Sequence, residues 1–181
     1  MREQVAPLTK SCRALGVIGT VLLSTAVPDA VALANEPTAV TCTTSSTWTY
    51  SPGVVLVPRP VRTTVRDQYT SCTGVGGAVA QRGTSEFVVD RSAGCLEPLA
   101  AVAESRRISW ADGTTSTFSY TVTVTSAPGA DVITKIGTIT DGVFAGRSAQ
   151  AVQAAPAVDL VRCLTGEGIV RQSSLGTFTV L

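Results

Sequence analysis

Thr117-Phe118-Ser119-Tyr120-Thr121-Val122-Thr123-Val124-Thr125 sets an apolar or aromatic side chain at every even position and a hydroxyl at every odd one. Successive side chains of a strand point to opposite faces, so this period of two predicts a strand with one face in a core and the other in water. The pattern extends to other segments. Val61, Val65 and Tyr69 share one parity while Arg62, Thr64, Arg66 and Gln68 share the other, giving a second long amphipathic strand that leads into Cys72. Val54-Val55-Leu56-Val57, between Pro52-Gly53 and Pro58, is expected as a brief strand near a sheet edge, because proline donates nothing to a ladder. Further strands are expected over 40–50, 86–90, 107–110, 132–140, 147–153, 158–164 and 169–180. Turn chemistry separates them at Gly74-Val75-Gly76-Gly77, Asp112-Gly113, Pro128-Gly129, Asp141-Gly142 and Gly166-Glu167-Gly168. The single helical candidate is Glu97–Glu104, with Pro98 in its first turn. Short strands at this spacing predict an all-β domain, a single antiparallel β-sandwich with at most one short helix.

The first 34 residues follow a different logic. Arg2, Lys10 and Arg13 precede an apolar run from Ala14 to Val27, Pro28 breaks it, and Ala30-Val31-Ala32-Leu33-Ala34 supplies small residues for cleavage. This is the layout of an export signal, expected to be cut after Ala34 with Ala32 the nearest alternative. The apolar run is shorter than the roughly 20 residues a membrane helix needs. Residues 1–34 are therefore expected as a cleaved signal peptide and 35–181 as one secreted, extracellular domain without a membrane anchor. Cysteine usage agrees: Cys12 leaves with the signal, and Cys42, Cys72, Cys95 and Cys163 remain as an even set suited to two disulfides. Of the three possible connectivities we favour Cys42 with Cys72 and Cys95 with Cys163, since the first pair lies on adjacent expected strands.

Several of these segments together carry a resemblance: the threonine-rich strand at Cys42, Tyr69-Thr70-Ser71-Cys72, Ile108-Ser109-Trp110-Ala111-Asp112-Gly113-Thr114-Thr115-Ser116 and Gly137-Thr138-Ile139-Thr140-Asp141-Gly142-Val143-Phe144-Ala145-Gly146. With the export signal, they make the chain similar to a group of small secreted actinobacterial proteins, some described as immunoglobulin-like. That resemblance implies a Greek-key, immunoglobulin-like sandwich and an exported location, and it implies no activity.

The chain contains no histidine. That removes Ser-His-Asp and Cys-His nucleophiles and histidine-containing zinc sites, so no catalytic residue, metal or cofactor is expected. Lys135, within Thr134-Lys135-Ile136, is expected on an outward strand face as a solubilising residue. The enzymatic alternative is a small secreted hydrolase with two carboxylates across a cleft, drawn from Asp67, Glu86, Asp90, Glu97, Glu104, Asp112, Asp131, Asp141, Asp159 and Glu167. No D-x-[DN]-x-[DN]-G calcium loop occurs. The 14 basic and 13 acidic residues include Arg2, Lys10, Arg13, Glu3 and Asp29 of the signal, so the remainder is neutral and nucleic acid is not an expected partner.

Surface binding remains, to a cell-wall polymer or another extracellular protein. Trp110 beside the Asp112-Gly113 turn is the aromatic best placed for exposure, ahead of Trp48, Tyr50 and Tyr69. Arg62 and Arg66, with Arg59, Arg106 and Arg107, are the candidate basic patch. A third reading, a secreted protease inhibitor, would use the segment from Gly74 to Gly83 as its loop.

Overall fold

A computed structural model describes residues 40–74, 82–96 and 102–181. The signal segment, most of the Gly74–Gly83 loop and residues 97–101 of the expected helix lie outside the described residues. Eight strands follow in chain order: β1 (Val40–Val54), β2 (Arg59–Gly74), β3 (Gly83–Ala93), β4 (Val102–Trp110), β5 (Thr115–Ala127), β6 (Ala130–Gly142), β7 (Ser148–Pro156) and β8 (Ile169–Val180). One short helix, α1 (Leu160–Cys163), precedes β8.

Each strand pairs antiparallel with the next and β8 pairs back onto β1, so the sheet closes into a barrel. This overturns the expected immunoglobulin-like, Greek-key β-sandwich. Alternation specifies one buried and one wet face, and it is the same whether the buried face meets a second sheet or curls onto itself. The strands decide the matter: β1 and β2 run for 15 and 16 residues, and strands this long can coil far enough to bring the two ends of the sheet together. Val40 stands opposite Val180, and Val54 opposite Ile169. The connections are successive hairpins rather than sandwich crossovers. Val54 is thus the end of β1 and paired, not part of a separate edge strand.

Two further expectations change. Residues 158–164 are not a strand: Asp159 accepts hydrogen bonds from the backbone N–H groups of Val161 and Arg162 and so caps the single turn of α1. Val102 to Glu104, the end of the expected helix, belong to β4, where pairing with β5 outweighs local helix propensity. The disulfides join Cys42 to Cys72 and Cys95 to Cys163, as favoured from the sequence.

The interior has two unlike halves. At the Cys42–Cys72 end, Tyr69, Trp110, Phe118 and Phe178 pack in edge or tilted contacts, with Phe144 edge-on to Trp110. Gly137 and Gly176 let neighbouring strands approach here, since a Cβ at either would run into the carbonyl of Ser119 or of Val152. The other end is tied by Cys95–Cys163 and is less completely filled. The ladder is weakest between β3 and β4, which pair only at Gly83 with Trp110 and Thr84 with Ser109.

Candidate functional site

Between the two halves, strand parity carries polar groups inward. On β2 the face that buries Val61 and Val65 also buries Asp67, and on β4 the face of Ile108 buries Arg106. Lys135 on β6 shares the inward face of Ile133 and Ile139, and Gln153 on β7 that of Ala151 and Ala155. Asp67 is the centre of this belt. Its carboxylate accepts from Arg106, from the Ser46 hydroxyl and from Ser85 Oγ at 2.8 Å. Gln153 Nε2 donates in turn to Ser46 Oγ at 2.7 Å and to Thr44 Oγ1 at 3.1 Å.

From Asp67 a line of alternating charge runs toward the open end. Arg106 Nη2 lies 3.6 Å from Glu104 Oε2, and Glu104 Oε1 lies 3.7 Å from Arg91 Nη1. The Tyr120 hydroxyl also donates to Glu104, at 2.7 Å. Arg106 is sandwiched by rings, its guanidinium 5.4 Å from the centre of Phe87 and 5.6 Å from that of Tyr120.

Burial pushes the Asp67 carboxyl up, but Arg106, Lys135 and the two serine hydroxyls outweigh it and hold it below the usual carboxylate range. Burial likewise opposes the charge on Arg106, and Asp67 more than restores it. Lys135 is less fully compensated. Its amine lies 5.8 Å from the centre of the Tyr120 ring, and no described residue accepts a hydrogen bond from it. Burial first, then repulsion from Arg106, bring its amine down to about 8, against the pull of Asp67 and Glu104.

Above this line opens a cavity of about 600 Å³. Tyr50, Val124, Ile133 and Ala155 line it, with Arg91 and Gln172 among its few polar groups. Its rim is apolar: Leu96, Leu160, Val161 and Leu164 are exposed on segments gathered by Cys95–Cys163. Backbone hydrogen bonds from Leu56 N to Cys163 O at 3.1 Å and from Cys95 N to Val55 O at 3.0 Å bring Leu56 and Val57 alongside.

The residues singled out from sequence lie elsewhere. Trp110 is 3% exposed inside the barrel, its indole N–H bonded to Ser116, and so is not a surface platform. Asp112 is exposed and accepts from the Thr114 backbone N–H and hydroxyl, which explains it as a turn residue and lowers its pKa. Arg62 and Arg66 are on the outer face, opposite Asp90 at 3.3 Å and Glu86 at 3.1 Å, and Arg106 has left the proposed basic patch for the interior. Lys135 is buried rather than outward. Of the ten carboxylates, Asp67 and Glu104 converge on Arg106. Arg91 and Gln153 are site residues that the sequence analysis does not name, although each shares the parity of apolar neighbours on its own strand. Among the described residues no three cysteine, aspartate or glutamate side chains come together as a metal site.

Lys135 makes the pH dependence of stability testable, because it is the one lysine after residue 34. Its folded pKa lies below the unfolded value of 10.5. The unfolded chain therefore binds the extra proton between about pH 8 and 10.5, and stability rises with pH across that window. Tyr50, raised to about 12, and Tyr69 and Tyr120, raised further by burial, act oppositely: the folded chain keeps protons that the unfolded chain loses above pH 10. Denaturation in urea should show stability climbing by about 1–2 kcal/mol from pH 7.5 to 10 and falling beyond. Lys135→Met should flatten the climb and be the more stable protein at pH 7. A flat wild-type profile would mean that the amine is solvated.

Searches of family models, curated proteins and solved structures find no match to this chain.

Proposed function

We propose that this is an exported, non-catalytic binding protein that takes a small, largely apolar molecule into the open end of its barrel. The cavity carries this reading: about 600 Å³, with mainly apolar walls and a few convergent polar groups, within the roughly 300–1,000 Å³ typical of small-molecule sites. An eight-stranded barrel has an interior just wide enough for side chains or one small ligand. Among the described residues, side chains fill one half and leave space in the other. The exposed apolar rim supports entry of an apolar molecule at that end. Export is supported by the signal-like leader and by two disulfides, which suit an oxidising compartment.

The carboxylate-pair hydrolase has less support. Asp67 and Glu104 share Arg106, and Asp67 is held ionised, whereas a glycosidase needs one acid kept protonated. Wall or protein binding through the outer face has less support as well, since Arg62 and Arg66 each face a carboxylate.

Titration of residues 35–181 with the neutral fluorophore N-phenyl-1-naphthylamine should give saturable enhancement. Val124→Trp, which fills the cavity wall, should weaken it about tenfold or more, with far-UV circular dichroism unchanged. Undiminished binding by Val124→Trp would move the ligand out of the barrel, and retention of the protein on purified cell wall would favour the outer face.

A further inference from the structure

The barrel interior pairs its charges unevenly. Asp67, Glu104 and the half-buried Asp131 are its carboxylates, and Arg91, Arg106 and Lys135 its cations. Arg106 lies between Asp67 and Glu104 and uses most of what they offer. Arg91 has only the far side of Glu104, at 3.7 Å, well beyond the roughly 2.7–2.9 Å of a charge-assisted hydrogen bond. Its Nε–H is buried with no acceptor. Lys135, 5% exposed, makes no hydrogen bond or ion pair among the described residues and is drawn to Asp67 and Glu104. Arg91 is thus the cation that meets the cavity with a buried N–H unpaired, which is costly.

Of the three cations Arg91 lines the cavity; Lys135 does not, and stands two residues along β6 from Ile133, which does, on the same inward face. Asp131 lines the cavity as well, half-buried, and accepts from the Ser126 hydroxyl at 2.7 Å. Close by, Tyr50 donates to Gln172 Oε1 at 3.3 Å, and Gln172 Nε2 donates to Pro156 O at 3.4 Å.

We infer that the molecule held in the cavity is an amphipath with one anionic head, of carboxylate type, seated on Arg91 above Lys135, its apolar tail directed to the Leu96 and Leu160 rim. The inference rests on the cavity reading and adds to it the charge and orientation of the occupant. An anionic head gives Arg91 Nε–H its acceptor and a close partner for a guanidinium that Glu104 meets only at 3.7 Å. An alcohol head is the weaker acceptor, and a cationic head repels the guanidinium.

Displacement of N-phenyl-1-naphthylamine at pH 7 by decanoate, decanol and decylamine separates these cases. Decanoate should bind about tenfold or more tighter than decanol, with decylamine weakest. The preference should survive 0.5 M NaCl, since a buried pair is little screened. Arg91→Gln should bring decanoate down to the level of decanol, and Lys135→Met should narrow the gap. Equal affinity for decanoate and decanol, a preference for the amine, or a preference untouched by Arg91→Gln would overturn the anionic head and leave the cavity reading standing. Failure of all three to bind would overturn both. The ranking by the unmutated protein is decisive by itself if Arg91→Gln does not fold.

Discussion

Asp67→Ala should destabilise the barrel by about 3–5 kcal/mol, the loss seen when one partner of a buried ion pair is removed. The substitution strands more than one group. Arg106, with its side chain 4% exposed, would keep only Glu104 at 3.6 Å. The hydroxyls of Ser46 and Ser85 would lose their acceptor, and the Gln153 amide, still held by Thr44, would be left on a Ser46 no longer fixed by Asp67. Each buried polar group left unsatisfied adds a further cost. Asp67→Asn keeps the volume and hydrogen-bonding capacity but not the charge, so it should lose less than alanine and more than a surface substitution. Urea denaturation midpoints of the three proteins check this, and a loss under 1 kcal/mol for alanine would mean that water already solvates Arg106. The acid side follows from the same contacts. Because Asp67 is held below its ordinary range, its contribution is full above the unfolded value near 4 and is lost as pH falls through the folded value.

The second large effect concerns the mouth. Cys95 and Cys163 are 68 residues apart and Cys42 and Cys72 are 30 apart. On loop-closure entropy the double replacement Cys95→Ala with Cys163→Ala should cost about 4 kcal/mol, and Cys42→Ala with Cys72→Ala about 3.5 kcal/mol. The stability losses are similar, but the consequences for binding should differ. Helix α1 is four residues long and is not stable alone; the bond from Cys163 holds it and Leu96 at the rim of the cavity. Without that bond, affinity for an apolar probe should fall by about tenfold or more, while the Cys42/Cys72 variant, altered at the packed end, should bind normally wherever it remains folded. Equal binding by both variants would show that the Cys95–Cys163 rim takes no part in holding the ligand.

The candidate site was legible in fragments. A polar residue at an inward position breaks an otherwise apolar row, and Asp67 two residues from both Val65 and Tyr69 does this openly. Arg106, two residues before Ile108, does the same. Lys135 is harder, because Ile136 beside it is also apolar and in the fold is 62% exposed. With apolar residues on both parities, nothing local says which face turns inward. Trp110 misled for a related reason: a residue next to a turn is expected at the surface, yet Tyr69 from β2 and Phe144 from the turn between β6 and β7 close over it.

Alternation, turn residues and cysteine parity are local properties of a chain, and by themselves they determined that this one is all-β, antiparallel and held by two disulfides. Closure is not local. It required β8 to meet β1 across more than 120 residues of sequence, and only the coiling of the strands between them brings Val180 to Val40. That closure turned a row of polar exceptions into one buried belt and left an unfilled end above it. Burial and pairing of charge depend on what lies across the barrel, so the tertiary structure alone decided that Asp67, Arg106, Glu104 and Arg91 form a line and that Lys135 remains unmatched.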